Sequence, residues 1–580
     1  MLKFNNNFIN YYLRETEKLV WFKKPKIVIK KNESNHYAWF PDGQLNLYEN
    51  CISNNLKKRQ NKTAIITVNQ NKKIKKYNFV QIDKKVNKMA NYIKKVSTNK
   101  KSRIMIHASA SLESAVLMLA CAKLGLHFSV IFEELESLGI QNRIKLFKPN
   151  IFFSRLSEKI FISKMGFKSY NEIKFIYGEQ LKKIIDTKEN AKKVKNKIVD
   201  SPNSLFTLFT SGSTGVPKGI THSTGGYLLY SKLTCQNQFG INENSVVLTA
   251  SDAGWINGHT YSLFGPLSLG STTILIEKPI SLIDIKLFKK ILSLKTSVVY
   301  LPVTLIRLIK SLNKNFTINK KYIKTLGSMG EPLAPSVAEW FSNKFLKKNR
   351  AIVNTYFQTE TGGIVCSPRY NQNTNQAPHG SVGQPFSEYI KINKLEKTKV
   401  KEIKIISPWP GMMKNVINGK IEWNKYWDKS SNFRLFDLAT KRKKNVFIHG
   451  RNDDVVNIRG HRVGSEEIES TLLKLKKITE CCVVTLNDKL EGSKICLFVV
   501  SDVNLDLEID KMIISNFGTY AIPKKVFYVK QLPKTRSGKI LRRLLRNILI
   551  NPNLKNYGDT STILNLSSLK NIQKMIKSNE

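Results

Sequence analysis

Apolar and polar positions alternate along the chain in two rhythms. Ile82, Val86, Met89 and Ile93 fall at helical spacing and predict a helix with one buried face. A strand-like run follows at Arg103–His107, then a helical run at Leu112–Lys123 closed by Gly125, then a β-rich run at Phe128–Phe132. Strand, helix, strand is the rhythm of a parallel sheet with helical crossovers. It returns at Val246–Ala250, Thr273–Ile276 and Val298–Leu301. The first 60 residues are polar with aromatic anchors (Trp21, Phe22, Trp39, Phe40, Tyr48) and read as an arm over a larger body. Residues 153–203 are Lys-rich and weakly patterned, and read as a loop-heavy surface region. Beyond residue 451 the pattern changes. Ser465 is placed to cap a helix with Glu466 and Glu467 in its first turn. Three β-runs follow, at Cys481–Leu486, Ile495–Val500 and Val526–Val529. The last clear element is Gly538–Ile550, with Ile540, Leu541, Leu544, Leu545 and Ile548 on one face and Arg542, Arg543 and Arg546 on the other. A boundary near Arg451–Asp454 then separates a small α+β unit.

Composition narrows the classes. The 580 residues are 41% hydrophobic, enough for large cores and against a disordered polymer. Seven scattered cysteines, with no CxxC and no zinc spacing, imply free thiols in a reducing, cytoplasmic setting. The longest apolar stretch, Ala115–Phe132, is broken by Lys123 and His127, so no membrane span is expected. The net charge of +52 suggests nucleic acid at first sight. The excess, however, is mostly lysine spread through nearly every loop, and no segment concentrates Arg, Lys and aromatics. A specific nucleic-acid partner is therefore not expected. The charge favours encounter with small anions.

The strongest chemical signal is Thr210-Ser-Gly-Ser-Thr-Gly-Val-Pro-Lys218-Gly219, which follows the apolar run Leu205–Phe209. Gly212, Gly215 and Gly219 let backbone N–H groups turn toward an anion, Ser211, Ser213 and Thr214 add hydroxyls, and Lys218 adds charge. This suits a polyphosphate, although Pro217 before the lysine excludes the GxxxxGK[ST] pattern. A Gly/Ser surface turn is the plainer reading of the loop alone.

The loop resembles the phosphate loop of the acyl-adenylate-forming enzymes. Other segments of that family stand in order: Gly330-Glu-Pro332, Tyr356-Phe-Gln-Thr-Glu-Thr-Gly-Gly363, Asp437, Gly450-Arg-Asn-Asp-Asp454, Gly460-His-Arg462 and Pro533-Lys-Thr-Arg-Ser-Gly-Lys539. Trp39-Phe-Pro-Asp-Gly-Gln-Leu-Asn46, Gly254-Trp-Ile-Asn-Gly-His259 and Gly558-Asp-Thr-Ser-Thr562 are similar to the acetyl-CoA and propionyl-CoA synthetase branch, and the likeness covers nearly the whole chain. The resemblance implies an α/β fold: a large multi-subdomain N-terminal domain of doubly wound sheets plus a small β-barrel, then a small mobile α+β C-terminal domain. It implies an arm over 1–60, an adenylation domain over 61–452 and a mobile domain over 453–580.

The implied reaction has two halves. A carboxylate attacks the α-phosphate of ATP to give acyl-AMP and pyrophosphate, and CoA then displaces AMP. Positioned cations and donors are the expected device for bringing an anion to a polyanion. By resemblance, Thr210, Ser211, Gly212, Ser213, Thr214, Gly215 and Lys218 would hold phosphates, and Glu360 would ligate Mg²⁺. Thr359 would touch the α-phosphate. Gly330, Glu331, Pro332, Asn354, Thr355, Tyr356, Phe357 and Gln358 would frame the nucleotide. Asp437 would bind the ribose, with Arg451 assisting. Lys539 would bridge carboxylate and α-phosphate, Asp453 would be the hinge, and Gly460 and Arg462 would serve the second half-reaction. Acetylation of Lys539 by a lysine acetyltransferase, reversed by a deacetylase, would be a switch because it removes that charge. Singly, Asp437 reads as a surface or capping residue, Lys539 as a solvated lysine and Glu360 as a helix-start acid. Their order and context carry the functional reading.

Several positions depart from the branch. Ile256 and Asn257 stand where Val and Thr are usual, Met329 where Val is usual, and Phe357 replaces a Trp that caps the acyl pocket. Acetate, propionate and a slightly larger or functionalised acid all fit, and the Asn257 amide hints at a hydroxy acid. The arginines that meet the CoA phosphate are not recognisable near Arg155, Glu133-Glu-Leu135 replaces a Gly-Gly-Phe-type turn, and Phe436 replaces the Gly before Asp437. Two alternatives therefore stand beside the CoA ligase. One is an adenylating enzyme that loads a carrier-protein thiol or an amine. The other is an inactive basic binding protein on this scaffold.

Overall fold

The structure is a computed structural model that describes residues 5–578, apart from 98–101, 136, 167–169, 171, 188–191, 211–216, 313–315, 348–349, 452–454, 459–460, 489–491, 536–539, 555–556 and 558–562. Within its elements, the side chains of 451, 455–458, 461–464, 466–467, 487–488, 492–493 and 520 are likewise outside the description.

Two seven-stranded sheets form the large part of the molecule. In the first, the strands Lys174–Ile176, Ile151–Ser154, Ile104–His107, Phe128–Ile131 and Ser204–Thr210 run parallel. Lys218–Ser223 and Asn415–Val416 then add on antiparallel. In the second, Val353–Asn354, Thr325–Met329, Val298–Pro302, Val246–Thr249, Thr272–Ile276 and Thr63–Val68 run parallel, with Ile74–Asn78 antiparallel at the edge. Sheets covered on both faces need largely apolar strands, and Ile104–His107 and Phe128–Ile131 are buried at every position. The helix Leu112–Leu124 is buried nearly all round, and Gly125 ends it in the left-handed conformation (φ 62°). Its Lys123, only 2% exposed, lies over the Tyr48 ring and donates to Asn196 Oδ1 at 2.8 Å.

The carboxyl ends of the two sheets are tied by one buried ion cluster. Arg155 follows a strand of the first sheet and binds Glu133 twice, Nε to Oε2 at 2.5 Å and Nη2 to Oε1 at 2.8 Å. Its Nη1 reaches Glu277 Oε2, beyond a strand of the second sheet, at 2.9 Å. The backbone N–H groups of Ser109 and Gln70 cap the two carboxylates.

The arm opens with the amphipathic helix Asn6–Thr16, N-capped by Asn5. Trp39, Phe40 and Tyr48 are buried as expected, whereas Phe22 is 49% exposed and is no anchor. The His36 ring stacks flat on Trp423 (centroids 4.2 Å apart, 3°), and Trp423 Nε1 donates to the Ser34 carbonyl at 2.7 Å.

Residues 153–203 are not loop-heavy. They carry the helices Glu158–Met165 and Gly178–Asp186 and the strand Lys174–Ile176. Phe161, Met165, Leu181 and Ile185 are their buried faces, and Lys159, Lys164, Lys182 and Lys183 are among the positions outside them.

Where the resemblance implies a small barrel stand a three-stranded antiparallel sheet (Lys401–Ile405, Phe433–Arg442, Asn445–Arg451) and the pair Cys366–Ser367 with Gln384–Pro385. In the C-terminal part, Glu480–Asp488, Gly492–Val500 and Lys525–Tyr528 form one sheet with a core on each face. Cys481, Val483 and Leu497 point to one core and Cys482, Val484 and Phe498 to the other, the period of two made visible. The helix Arg542–Ile550 buries Leu544, Leu545 and Ile548. It is not the last element, because Leu566–Ser578 forms a further helix. Its arginines are not a merely solvated face: Arg542 pairs with buried Glu469, and Arg546 donates to the Thr485 carbonyl. All seven cysteines are free and buried. Among the described residues no helix is long and apolar enough to cross a membrane.

Candidate active site

The strands Ser204–Thr210 and Lys218–Ser223 pair antiparallel, with Thr210 opposite Lys218. The phosphate-loop motif thus links two adjacent antiparallel strands. Ser211, Gly212, Ser213, Thr214 and Gly215 lie outside the described residues. The base of that link is clamped from a distant segment. Asn418 Nδ2 donates to the Pro217 carbonyl and its Oδ1 accepts from Gly219 N–H, both at 2.8 Å. Lys218 is held rather than free: its Nζ lies 3.1 Å from Glu422 Oε2 and 5.5 Å from the Tyr426 ring centre.

Tyr426 joins this cation to the expected metal ligand, since its hydroxyl donates to Glu360 Oε1 at 2.7 Å. Glu360 sits in the short 3₁₀ turn Thr359–Thr361, whose backbone is fastened on three sides. His222 Nε2 donates to the Thr359 carbonyl at 2.8 Å, Trp409 Nε1 to the Thr361 carbonyl at 3.0 Å, and Met413 N–H to the Glu360 carbonyl at 2.9 Å. Burial pushes His222 down to about 4, so it is the neutral imidazole that donates. Gly362 ends the turn at φ +67°, where a Cβ would stand 2.1 Å from the Gly411 carbonyl oxygen. No other residue fits there.

Asp437 lies in the strand Phe433–Arg442, opposite Arg451. Its Oδ2 accepts from the Tyr356 hydroxyl at 2.7 Å and from Gln358 Nε2 at 2.6 Å, and the same Nε2 donates to the Leu435 carbonyl. Two predicted nucleotide residues therefore orient a third. Phe436, the residue that replaces glycine, holds φ 57°. A left-handed residue costs about 1–2 kcal/mol. Set against that cost, its ring packs edge-on against Tyr426 (5.7 Å, 73°) and under the Arg434 guanidinium at 4.6 Å.

The remaining candidates divide. Glu331 pairs with Arg307 at 3.2 Å, and Pro332 receives the same arginine at its carbonyl. Gly330 sits at φ +90° with open space around it. Asn354 and Thr355 are spent on the scaffold: Asn354 accepts from Ser328 Oγ and donates to the Ser381 carbonyl, and Thr355 donates to the Ser328 carbonyl. Met329 and Phe357 join one core with Tyr261 and Tyr300, while Ile256 belongs to the other large core. Asn257 lies against Met329 Sδ. Asp453, Gly460 and Lys539 fall outside the described residues, as do the side chains of Arg451 and Arg462. The sequence reading passed over Asn418, Glu422 and Tyr426. They lie within Asn418–Tyr426, a stretch with no motif, about 200 residues from the hairpin they serve. Among the described residues no three His, Cys, Asp or Glu side chains gather to hold a metal.

Three segments of the chain match known families: acetyl-coenzyme A synthetase N-terminus over residues 3–51, AMP-binding enzyme over 52–403, and AMP-binding enzyme C-terminal domain over 467–539. An acetyl-coenzyme A synthetase of Helicobacter pylori is 31% identical over 97% of this chain and 92% of its own length. One of Campylobacter jejuni is 30% identical over 98% and 94%. The fold is that of the acetoacetyl-CoA synthetase of Streptomyces lividans, with a TM-score of 0.83 at 17% identity over 99% of this chain and 93% of that one. An anthranilate CoA ligase in complex with anthranoyl-AMP gives 0.75 at 19% identity, over 87% and 97%. The large domain of parallel sheets, the smaller C-terminal domain and these matches along nearly the full length lead to one statement: the chain belongs to the AMP-binding enzyme family and stands with its acetyl-coenzyme A synthetases.

Proposed function

We propose that this chain is an AMP-forming ligase that activates a short carboxylic acid with ATP and passes the acyl group to CoA. Acetate, propionate and slightly larger or functionalised acids are the substrate range. The observation that carries the reading is the convergence of Lys218, Tyr426 and Glu360 beside the phosphate hairpin, with Asp437 oriented by Tyr356 and Gln358. Lys218 would exchange Glu422 for phosphate oxygens when ATP arrives, leaving Glu422 with its other partner, Lys425. Asp437 would accept from the ribose, and the fixed turn would present Thr359 to the α-phosphate. Mg²⁺ is commonly held by one or two carboxylates plus substrate phosphates, which a single steered Glu360 fits, and when bound it would neutralise phosphate charge. Lys539 would bridge the two reacting anions, and Asp453 would be the hinge of a swing that brings Gly460 and Arg462 to the thiol step.

Pyrophosphate release across a panel of short acids, with and without CoA, tests the reading; no release with any acid would overturn it. Lys539→Ala is expected to lower adenylation by about 10²-fold, the scale of one fixed transition-state donor. Thioester formation from supplied acyl-AMP should be spared, and equal loss in both halves would remove Lys539 from that role. One observation favours a second reading, in which a carrier-protein thiol is the acceptor. Arg155, in the region where CoA-phosphate arginines are expected, is engaged by Glu133 and Glu277. Acid-dependent release that CoA does not accelerate would select that reading.

A further inference from the structure

Asn257 is 5% exposed, yet its amide oxygen has no hydrogen-bond partner. The amide's orientation follows from its neighbours. Thr355 Oγ1 donates to the Ser328 carbonyl at 2.8 Å, so it can only accept from the Tyr300 hydroxyl 2.7 Å away. The Tyr300 oxygen is then an acceptor, and the Asn257 amide stands against it and against Met329 Sδ, both of which take a donor. The NH₂ end is therefore committed, and Oδ1 is the end left over. Asn257 follows the strand Val246–Thr249, Met329 ends Thr325–Met329, and Phe357 follows Val353–Asn354. All three stand at the carboxyl edge of the second sheet, where ligands of such sheets bind and where Gln358 and Glu360 lie. A buried acceptor left unpaired is costly, so a substrate that supplies the missing donor regains that energy.

We propose that Asn257 is a specificity residue, selecting short carboxylic acids whose chain carries a hydroxyl donor. Unsubstituted acids leave Oδ1 unpaired, and keto acids set a carbonyl oxygen against it. This rests on the ligase reading above. The test measures kcat/KM for acid-dependent pyrophosphate release with lactate against propionate, and with 3-hydroxybutyrate against butyrate and acetoacetate. At least one hydroxy acid should exceed its partners by about 10- to 100-fold, the range that one buried unpaired acceptor sets. Asn257→Leu should abolish or reverse the preference. Equal or better use of the unsubstituted and keto acids, or a preference unchanged in Asn257→Leu, would overturn the proposal. If no acid supports release, the ligase reading fails. Calorimetry with acyl- and hydroxyacyl-sulfamoyladenosine then decides the proposal separately: tighter binding of the hydroxyacyl analogue upholds it, and equal affinities overturn it.

Discussion

Arg155→Met is expected to lower the unfolding free energy of the large domain by about 3–5 kcal/mol, the usual cost of breaking a buried ion cluster from one side. The guanidinium serves two carboxylates that face opposite tendencies. Burial works to raise Glu133, but the Arg155 hydrogen bonds and charge outweigh it and hold that carboxyl below its ordinary range. At Glu277 burial prevails over the same arginine and the carboxyl is pushed up. Removing Arg155 strands both acids where the two sheets meet. The triple variant Glu133→Gln, Arg155→Met, Glu277→Gln should recover much of the loss, since no buried charge is then left without a partner. Urea unfolding followed by tryptophan fluorescence measures both. A loss under about 1 kcal/mol, the size typical of surface pairs, would mean the cluster is not a tie between the sheets.

Asp437→Ala should reduce kcat/KM for ATP in pyrophosphate release by about 10²–10³-fold, as loss of a preorganised polar contact in a closed site does. The effect has two sources. The proposed ribose acceptor disappears, and the Tyr356 hydroxyl and Gln358 amide lose the oxygen that fixes them. Because Gln358 immediately precedes the Thr359–Thr361 turn, its release also loosens the segment that carries Glu360. Asp437→Asn keeps a carbonyl oxygen for both donors and separates the sources: it should retain more activity than alanine while losing the charge. An alanine variant within about threefold of the parent would remove Asp437 from nucleotide binding, because three-fold is well under 1.4 kcal/mol, a tenfold change.

Much of the scaffold was legible because local patterns wrote it. The helix Leu112–Leu124 with its Gly125 stop, and the strands at 246–249, 272–276 and 298–302, are short-range signals. The Lys-rich stretch after residue 153 was misread because abundant lysine hid a sparse apolar stripe, and the helix Leu566–Ser578 passed unnoticed for the same reason. At the candidate site, motifs single out Glu360, Asp437 and Lys218 as expected functional residues but say nothing of what holds them. Tyr426 and Asn418 act through contacts that span 66 and about 200 residues, and such partners leave no mark on their neighbours in the chain. The amide orientation of Asn257 was equally unreadable, because it depends on a relay through Tyr300 and Ser328, on two other strands, and Thr355, just beyond a third.

The stacking of His36 on Trp423 has a consequence for biosynthesis. The Ser34–Trp423 hydrogen bond joins residues 389 apart, so the arm leaves the ribosome long before its docking surface exists. At the usual 5–20 residues per second, that wait is roughly 20–80 s. Throughout it, Tyr12, buried in the finished protein, lacks the ring of Tyr389, and His36 lacks the ring of Trp423. The aromatic cluster of the nascent arm thus stays incomplete until those residues are made. Translation stalled before residue 389 would leave Phe8, Tyr11 and Tyr12 without the Tyr389 ring that packs on all three.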